Sequence, residues 1–159
     1  MKIRGTEAEK ARAYAFLLLK FRLRSEHELY QRLKLKKFPE TIIRSTLDFL
    51  KEKQFIDDRV FAKAWINSRL KKPQGLRKIR QELAFKGIDK EIIESRIAEA
   101  GENYSEQEVV RKLACEKWDR LKGIEPEKAK RRLYSYLLRR GFSPEIVSDN
   151  ISQLCKPIS

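Results

Sequence analysis

Two neighbouring cations, Arg77 and Lys78, return fifty-four residues later as Arg131 and Arg132. Such pairs suit one kind of chemistry, the holding of phosphate, because guanidinium and ammonium groups donate charge-assisted hydrogen bonds to oxyanions. Further cations lie close by in the chain: Arg80 and Lys86 after the first pair, Arg139 and Arg140 after the second, and Arg32, Lys36 and Lys37 in an earlier segment. They belong to a chain of 159 residues with 37 Lys and Arg against 23 Asp and Glu, a formal net charge of +14. That excess concentrates polyanions by long-range attraction and makes nucleic acid the leading partner class. The bland alternative is a merely solvated basic surface.

Groups for bond-making chemistry are missing. His27 is the single histidine, which leaves imidazole catalysis or a His-ligated metal cluster almost without material. Cys115 and Cys155 lack metal-ligand spacing and read as two free thiols of a reducing compartment. Asp57-Asp58 is explained as a pair of helix caps. Gly75-Leu76-Arg77-Lys78 lacks the second glycine and the spacing of a phosphate-cradling loop. We therefore expect no enzyme, no metal and no cofactor. The apolar run Ala13–Leu19 falls far short of the roughly 20 residues a membrane span needs, so a cytoplasmic location is expected.

Helices must position these cations. Asp57 and Asp58 open one whose apolar stripe is Phe61, Ala62, Trp65, Ile66 and Leu70, recurring at three and four. Pro73 and Gly75 end it. The next helix turns Ile79 and Leu83 inward, leaves Arg77, Lys78, Gln81 and Phe85 outward at ~100° per residue, and stops at Gly87. Upstream, Thr6 to Glu9 and Ser25 to Glu28 are capping boxes opening two more helices. The first carries Ala11, Tyr14, Ala15, Leu18 and Leu19 as its core stripe. A third helix starts near Pro39 or Glu40 and buries Ile42, Ile43, Leu47 and Leu50. Downstream, Ser105 caps a helix with the stripe Val109, Leu113, Ala114, Trp118 and Leu121. Trp65 and Trp118 are both expected in the core.

The pattern is periodic. Leu29, Leu33, Phe38, Ile42 and Leu47 come back fifty residues later as Ile79, Leu83, Ile88, Ile92 and Ile97, then fifty-four later as Leu133, Leu137, Phe142, Ile146 and Ile151. The expected fold is all-α, three tandem three-helix repeats over 1–55, 56–104 and 105–159. Units this short must share core with their neighbours, which predicts an elongated, curved array with hinges at 55–57 and 101–104. The middle helices carry the positive charge and the third helices the negative, among them Asp89, Glu91 and Glu94. Because the first repeat has His27 and Glu28 where the others have Arg77-Lys78 and Arg131-Arg132, repeats two and three should make more anion contact. Outward Phe85 either stacks on a base or fills a partner's pocket, or else packs on a neighbouring helix as its apolar equivalent Leu35 suggests.

The spaced set Asp58, Phe61-Ala62, Trp65, Arg69, Gly75, Ile79, Glu82-Leu83, Lys86-Gly87-Ile88 resembles the central block of the RecX family, regulators of the RecA recombinase. The upstream AFLLLKFRLRSEHELYQRLKLKKF and the downstream LLRRGFSPEIV match too, so the resemblance covers about residues 7 to 154. It implies three three-helix repeats in a monomer that modulates, and most often inhibits, RecA in DNA repair, recombination and the SOS response. By the same resemblance the partners are the RecA filament, whose groove it would occupy, single-stranded DNA and, further, double-stranded DNA. No residue role is carried over, so the twelve sites (Arg32, Lys36, Lys37, Arg77, Lys78, Arg80, Phe85, Lys86, Arg131, Arg132, Arg139 and Arg140) rest on charge and exposure alone. Two rivals stay open: a stand-alone DNA binder reading the major groove, against which the acidic third helices speak, and a non-catalytic protein-binding scaffold.

Overall fold

The computed structural model describes residues 5–154. Among them are nine helices and no strand: α1 (Glu7–Phe21), α2 (Glu26–Leu35), α3 (Glu40–Glu52), α4 (Asp58–Leu70), α5 (Leu76–Phe85), α6 (Lys90–Gly101), α7 (Glu106–Asp119), α8 (Pro126–Arg139) and α9 (Pro144–Leu154). They fall into three successive triplets. Cys155 lies outside the described residues, and Cys115 is an exposed free thiol. No described helix is long and apolar enough to cross a membrane. No group of three or more His, Cys, Asp or Glu among the described residues is arranged to hold a metal ion.

Caps set the helix starts as the sequence reading expects. Thr6 and Glu9 exchange side-chain and backbone hydrogen bonds, as do Ser25 and Glu28, and Ser105 accepts from the Glu108 amide. Asp57 caps α4, accepting from the amides of Arg59 and Val60 at 2.8 and 3.4 Å. Asp58 does not join it in capping α4. Its Oδ1 accepts instead from the Glu26 amide at the start of α2, 2.9 Å away.

Burial shifts the core register by one position. In the third helices the fully buried column is Ile43, Ile93 and Val147, while the expected Ile42, Ile92 and Ile146 are half-buried. In α7 Val110 and Ala114 are buried, and Val109 and Leu113 lie at the margin. A helix stripe is about 100° wide or more, so adjacent apolar residues compete for its centre, and packing rather than spacing decides. Trp65 and Trp118 are likewise half-buried rather than core. Trp65 stacks on Phe61 at 5.9 Å between centroids, and Lys86 Nζ stands 4.2 Å from its ring, an ammonium over an aromatic face.

Two compact units follow a different division from the triplets. One ends at Trp65 and resumes over Leu83–Arg96; the other joins Ile66–Glu82 to the chain from Ile97 onward. The first unit is built around Ala11, Ala15, Leu29, Leu33, Ile43 and Leu50, the second around Val110, Ala114, Leu133, Leu137, Phe142 and Val147.

Within each unit the start of a middle helix meets the end of the next one. In the first unit the buried Ser25 hydroxyl accepts from the Glu28 amide and donates to the Lys86 carbonyl at 2.7 Å, giving an orphan carbonyl at the end of α5 a partner. In the second, the Gly75 amide donates to the Arg140 carbonyl at 2.8 Å, and the Arg140 guanidinium donates to the Pro73 carbonyl at 3.0 Å. Asp58 on the Glu26 amide has its counterpart in Glu106, which accepts from the Leu76 amide at 2.7 Å. The same junction is thus made twice.

Glycine permits the approach. Gly87 and Gly141 follow α5 and α8 with φ of +73° and +88°, and a Cβ on either would strike a Cβ of the facing helix, that of His27 or Lys78. The equivalent of both in the first triplet is Lys37, also left-handed at φ +62° but exposed.

Glu28 stores acid sensitivity in the first junction. Burial opposes its charge, but hydrogen bonds from Arg22, Lys86 and the Ser25 amide outweigh that and hold its carboxyl at about 2, below the ordinary 4.5. A depressed carboxylate contributes stability above its unfolded value and loses it as pH falls through the folded one. Between pH 4.5 and about 2 the protein should therefore lose about 1–2 kcal/mol from this group, a figure reduced for partial solvent screening. Thermal melts of wild type and Glu28→Gln should converge over that window, and parallel curves would contradict this.

Candidate nucleic-acid interface

Helix α8 carries the densest positive charge, and its local sequence explains which side the charge takes. Pro126 occupies the first turn, and Glu125 accepts from the amides of Glu127 and Lys128, bonds that hold its carboxyl below the usual carboxylate range. Ala129, Leu133 and Leu137 are buried at a spacing of four. Lys128, Arg132, Tyr136 and Arg139 then form one outward row, with Arg131 and Ser135 beside it.

Against that row lie Lys117 and Leu121 from α7 and its exit, and the two together enclose an open groove of about 570 Å³. Five of its eight lining residues are cationic (Lys117, Lys128, Arg131, Arg132 and Arg139), and none is acidic. The Tyr136 ring forms part of its wall, with Lys117 Nζ 5.1 Å and the Arg140 guanidinium carbon 5.0 Å from its centroid. Converging cations in a concave wall focus the local field, so the groove concentrates anions beyond what net charge alone would do. Exposed arginines present forked donors that match phosphate oxygens. It can bind; it offers no general base or nucleophile paired for catalysis.

Of the twelve residues singled out by charge and exposure, the structure brings Arg131, Arg132 and Arg139 together here. Arg77 is exposed on α5 outside this groove, and Lys78, expected outward, is half-buried against Gly141. Arg80 is also half-buried. Lys86 pairs with Glu28 at 2.9 Å, and Arg140 reaches the Pro73 carbonyl. Arg32, Lys36 and Lys37 are exposed, Lys36 lying 5.3 Å from the Tyr14 ring. Phe85 is 89% exposed and Leu35 73%, so packing of Phe85 on a neighbouring helix is overturned.

Sequence reasoning missed Lys117 and Tyr136 as wall residues and passed over Lys128 as a site. Lys128, Arg132, Tyr136 and Arg139 share one face by helical spacing, a signal present in the sequence. Lys117 comes from another helix, and only packing brings it near.

Comparison with known proteins adds an independent line. Models of the first, second and third three-helix domains of RecX match residues 11–50, 57–95 and 105–149. A "Regulatory protein RecX" of Chlorobium limicola is 34% identical over 146 residues, 91% of this chain and 89% of the relative. That of Chlorobium phaeobacteroides is 35% identical over 150 residues, 94% and 96% of the two chains. Among solved structures, RecX from Lactobacillus salivarius matches with a TM-score of 0.80 at 23% identity, covering 93% of this chain and 96% of that one, a likeness of fold.

Proposed function

Since the chain belongs to the RecX family of regulatory proteins, we propose that it regulates the RecA recombinase, most often as an inhibitor, by occupying the groove of the RecA filament on single-stranded DNA. The three repeats, taken as 1–55, 56–104 and 105–159, act in the cytoplasm as a monomer without a cofactor. One observation carries the reading: a concave wall of five cations and no acid on the third repeat, suited to phosphates of a strand held in a protein filament. Bound there, the protein blocks subunit addition and so slows ATP turnover and strand exchange, with no chemistry of its own. Double-stranded DNA is a weaker ligand of the same groove, and the other cations named above add contacts with DNA or filament.

The test is RecA ATPase and strand exchange on single-stranded DNA with increasing amounts of the protein. Both activities should fall as the protein approaches stoichiometric levels. Unchanged activities at those levels would remove the proposal, and tight binding to free DNA alone would favour a stand-alone DNA binder.

A further inference from the structure

The first junction uses one face of a middle helix together with the third helix of the same repeat. In the first repeat that face borders a cavity of about 320 Å³ lined by Glu26, His27, Tyr30, Arg44, Leu47 and Asp48, together with Lys51, with Asp58 and Gly87 of the following repeat closing one side. The third repeat has a cavity of about 390 Å³ lined by Lys130, Arg131, Tyr134, Ser148, Ile151 and Ser152, together with Ser135. These six are the same six positions, each 104 residues further on. Among the described residues, only α8 and α9 line this cavity.

We infer that this end face of the third repeat is a docking surface for another protein, and that its occupant is a helix whose first turn is acidic. Continuity with the internal junctions supports the choice. The starts of both earlier middle helices receive a helix start led by an acid: Asp58 reaches the Glu26 amide at 2.9 Å, and Glu106 the Leu76 amide at 2.7 Å. Charge supports it as well: the six positions carry Glu26, Arg44 and Asp48 in the first repeat, a net charge of −1, but Lys130 and Arg131 in the third, a net charge of +2.

The manner of binding must change in one respect. Helix α8 starts at Pro126, whereas α2 and α5 start at Glu26 and Leu76, positions equivalent to Lys130. With this extra turn the amide of residue 130 lies inside the helix and cannot cap an incoming acid. Lys130 is held by Glu127 at 2.7 Å, which leaves the exposed Arg131 as the group to receive the acid, beside a floor made by Tyr134 and Ile151. A second copy of this chain does not fit. It would present Lys36 and Lys37 to Arg131, like charge to like, and Lys37 has a side chain where Gly87 and Gly141 allow close approach.

The inference stands apart from the recombinase reading, and its test uses no recombinase. The 159-residue protein, labelled with nitrogen-15, is titrated with a helical peptide of residues 104–119 carrying Cys115→Ser, because this helix start meets the start of α5 in the second repeat through Glu106 on Leu76 and Tyr104 on Gln74. Amide shifts should gather at Ser135, Ser148 and Ser152. The surface double variant Ser148→Gln/Ser152→Gln, which occupies the cavity without adding charge beside Arg131 and is checked for an unchanged melt, should weaken peptide binding about tenfold or more, as should Glu106→Gln in the peptide. An oligothymidylate titration forms the second arm, in which the double variant should keep wild-type affinity. Absence of shifts at these residues would overturn the inference. So would an equal loss of oligothymidylate binding, which would make the cavity a nucleobase site, or a dimer in sedimentation that the double variant abolishes.

Discussion

Gly75→Ala is expected to cost about 3 kcal/mol or more and to lower the melting temperature by about 10 °C. A Cβ at this position would strike the backbone carbonyl of Gly141 and the amide of Phe142. Backbone does not yield as the tip of a side chain would, and the obstruction falls where the Gly75 amide reaches the Arg140 carbonyl at 2.8 Å. Relief requires the start of α5 and the end of α8 to separate, with loss of that bond, of the Arg140 contact to Pro73 and of the Glu106 cap on Leu76. Gly101→Ala makes the natural comparison. A Cβ there meets nothing within 4 Å, so this variant should stay within about 0.5 kcal/mol of wild type or gain slightly. Paired calorimetric melts decide the matter, and similar melts for the two variants would show that the junction is not tightly packed.

The second large effect is on nucleic-acid affinity. Replacing Lys128, Arg131, Arg132 and Arg139 together by alanine removes four of the five cations of the α7–α8 groove, while the buried Ala129, Leu133 and Leu137 remain to hold the helix. With roughly 5 phosphate contacts on a single strand, wild-type affinity should fall about 100-fold between 50 and 200 mM salt. In the quadruple variant the dependence should nearly vanish, and affinity at the lower salt should drop on the order of 100-fold. Arg32→Ala with Lys36→Ala should change affinity less than about threefold, because these two are not gathered into such a wall. Fluorescence anisotropy with a labelled oligonucleotide at several salt concentrations reads all of this. Equal losses in the two variants would mean that net charge, and not the groove, governs binding.

Much of the fold was legible because its signals are local. A hydroxyl or carboxylate three residues before its partner, as in Thr6 with Glu9 and Ser25 with Glu28, sets a helix start without reference to the rest of the chain. The fifty- and fifty-four-residue repeats are legible for a related reason: the same core positions must be apolar in every copy. What escaped depends on distant partners. Asp58 looks like a cap for its own helix until α2 is placed beside it. Lys86 looks like a free cation, yet Glu28, far earlier in sequence, is 2.9 Å away. Of the cationic wall, the α8 row can be read by helical spacing, but Lys117 joins it only through the packing of α7 on α8.

The division into two compact units bears on how the chain can be cut. Boundaries at 55 and 104 look natural on a repeat diagram, yet a piece ending at 55 would lack Asp58, Lys86 and Gly87, three residues that finish the surroundings of Ser25, Glu26 and His27. An excision that runs on to Arg96 keeps them all. Anyone preparing a shortened form for isotope labelling or domain grafting should expect the tidier piece to fray at the start of α2, and the longer one to keep that junction while leaving the start of α5 without Arg140 and Glu106.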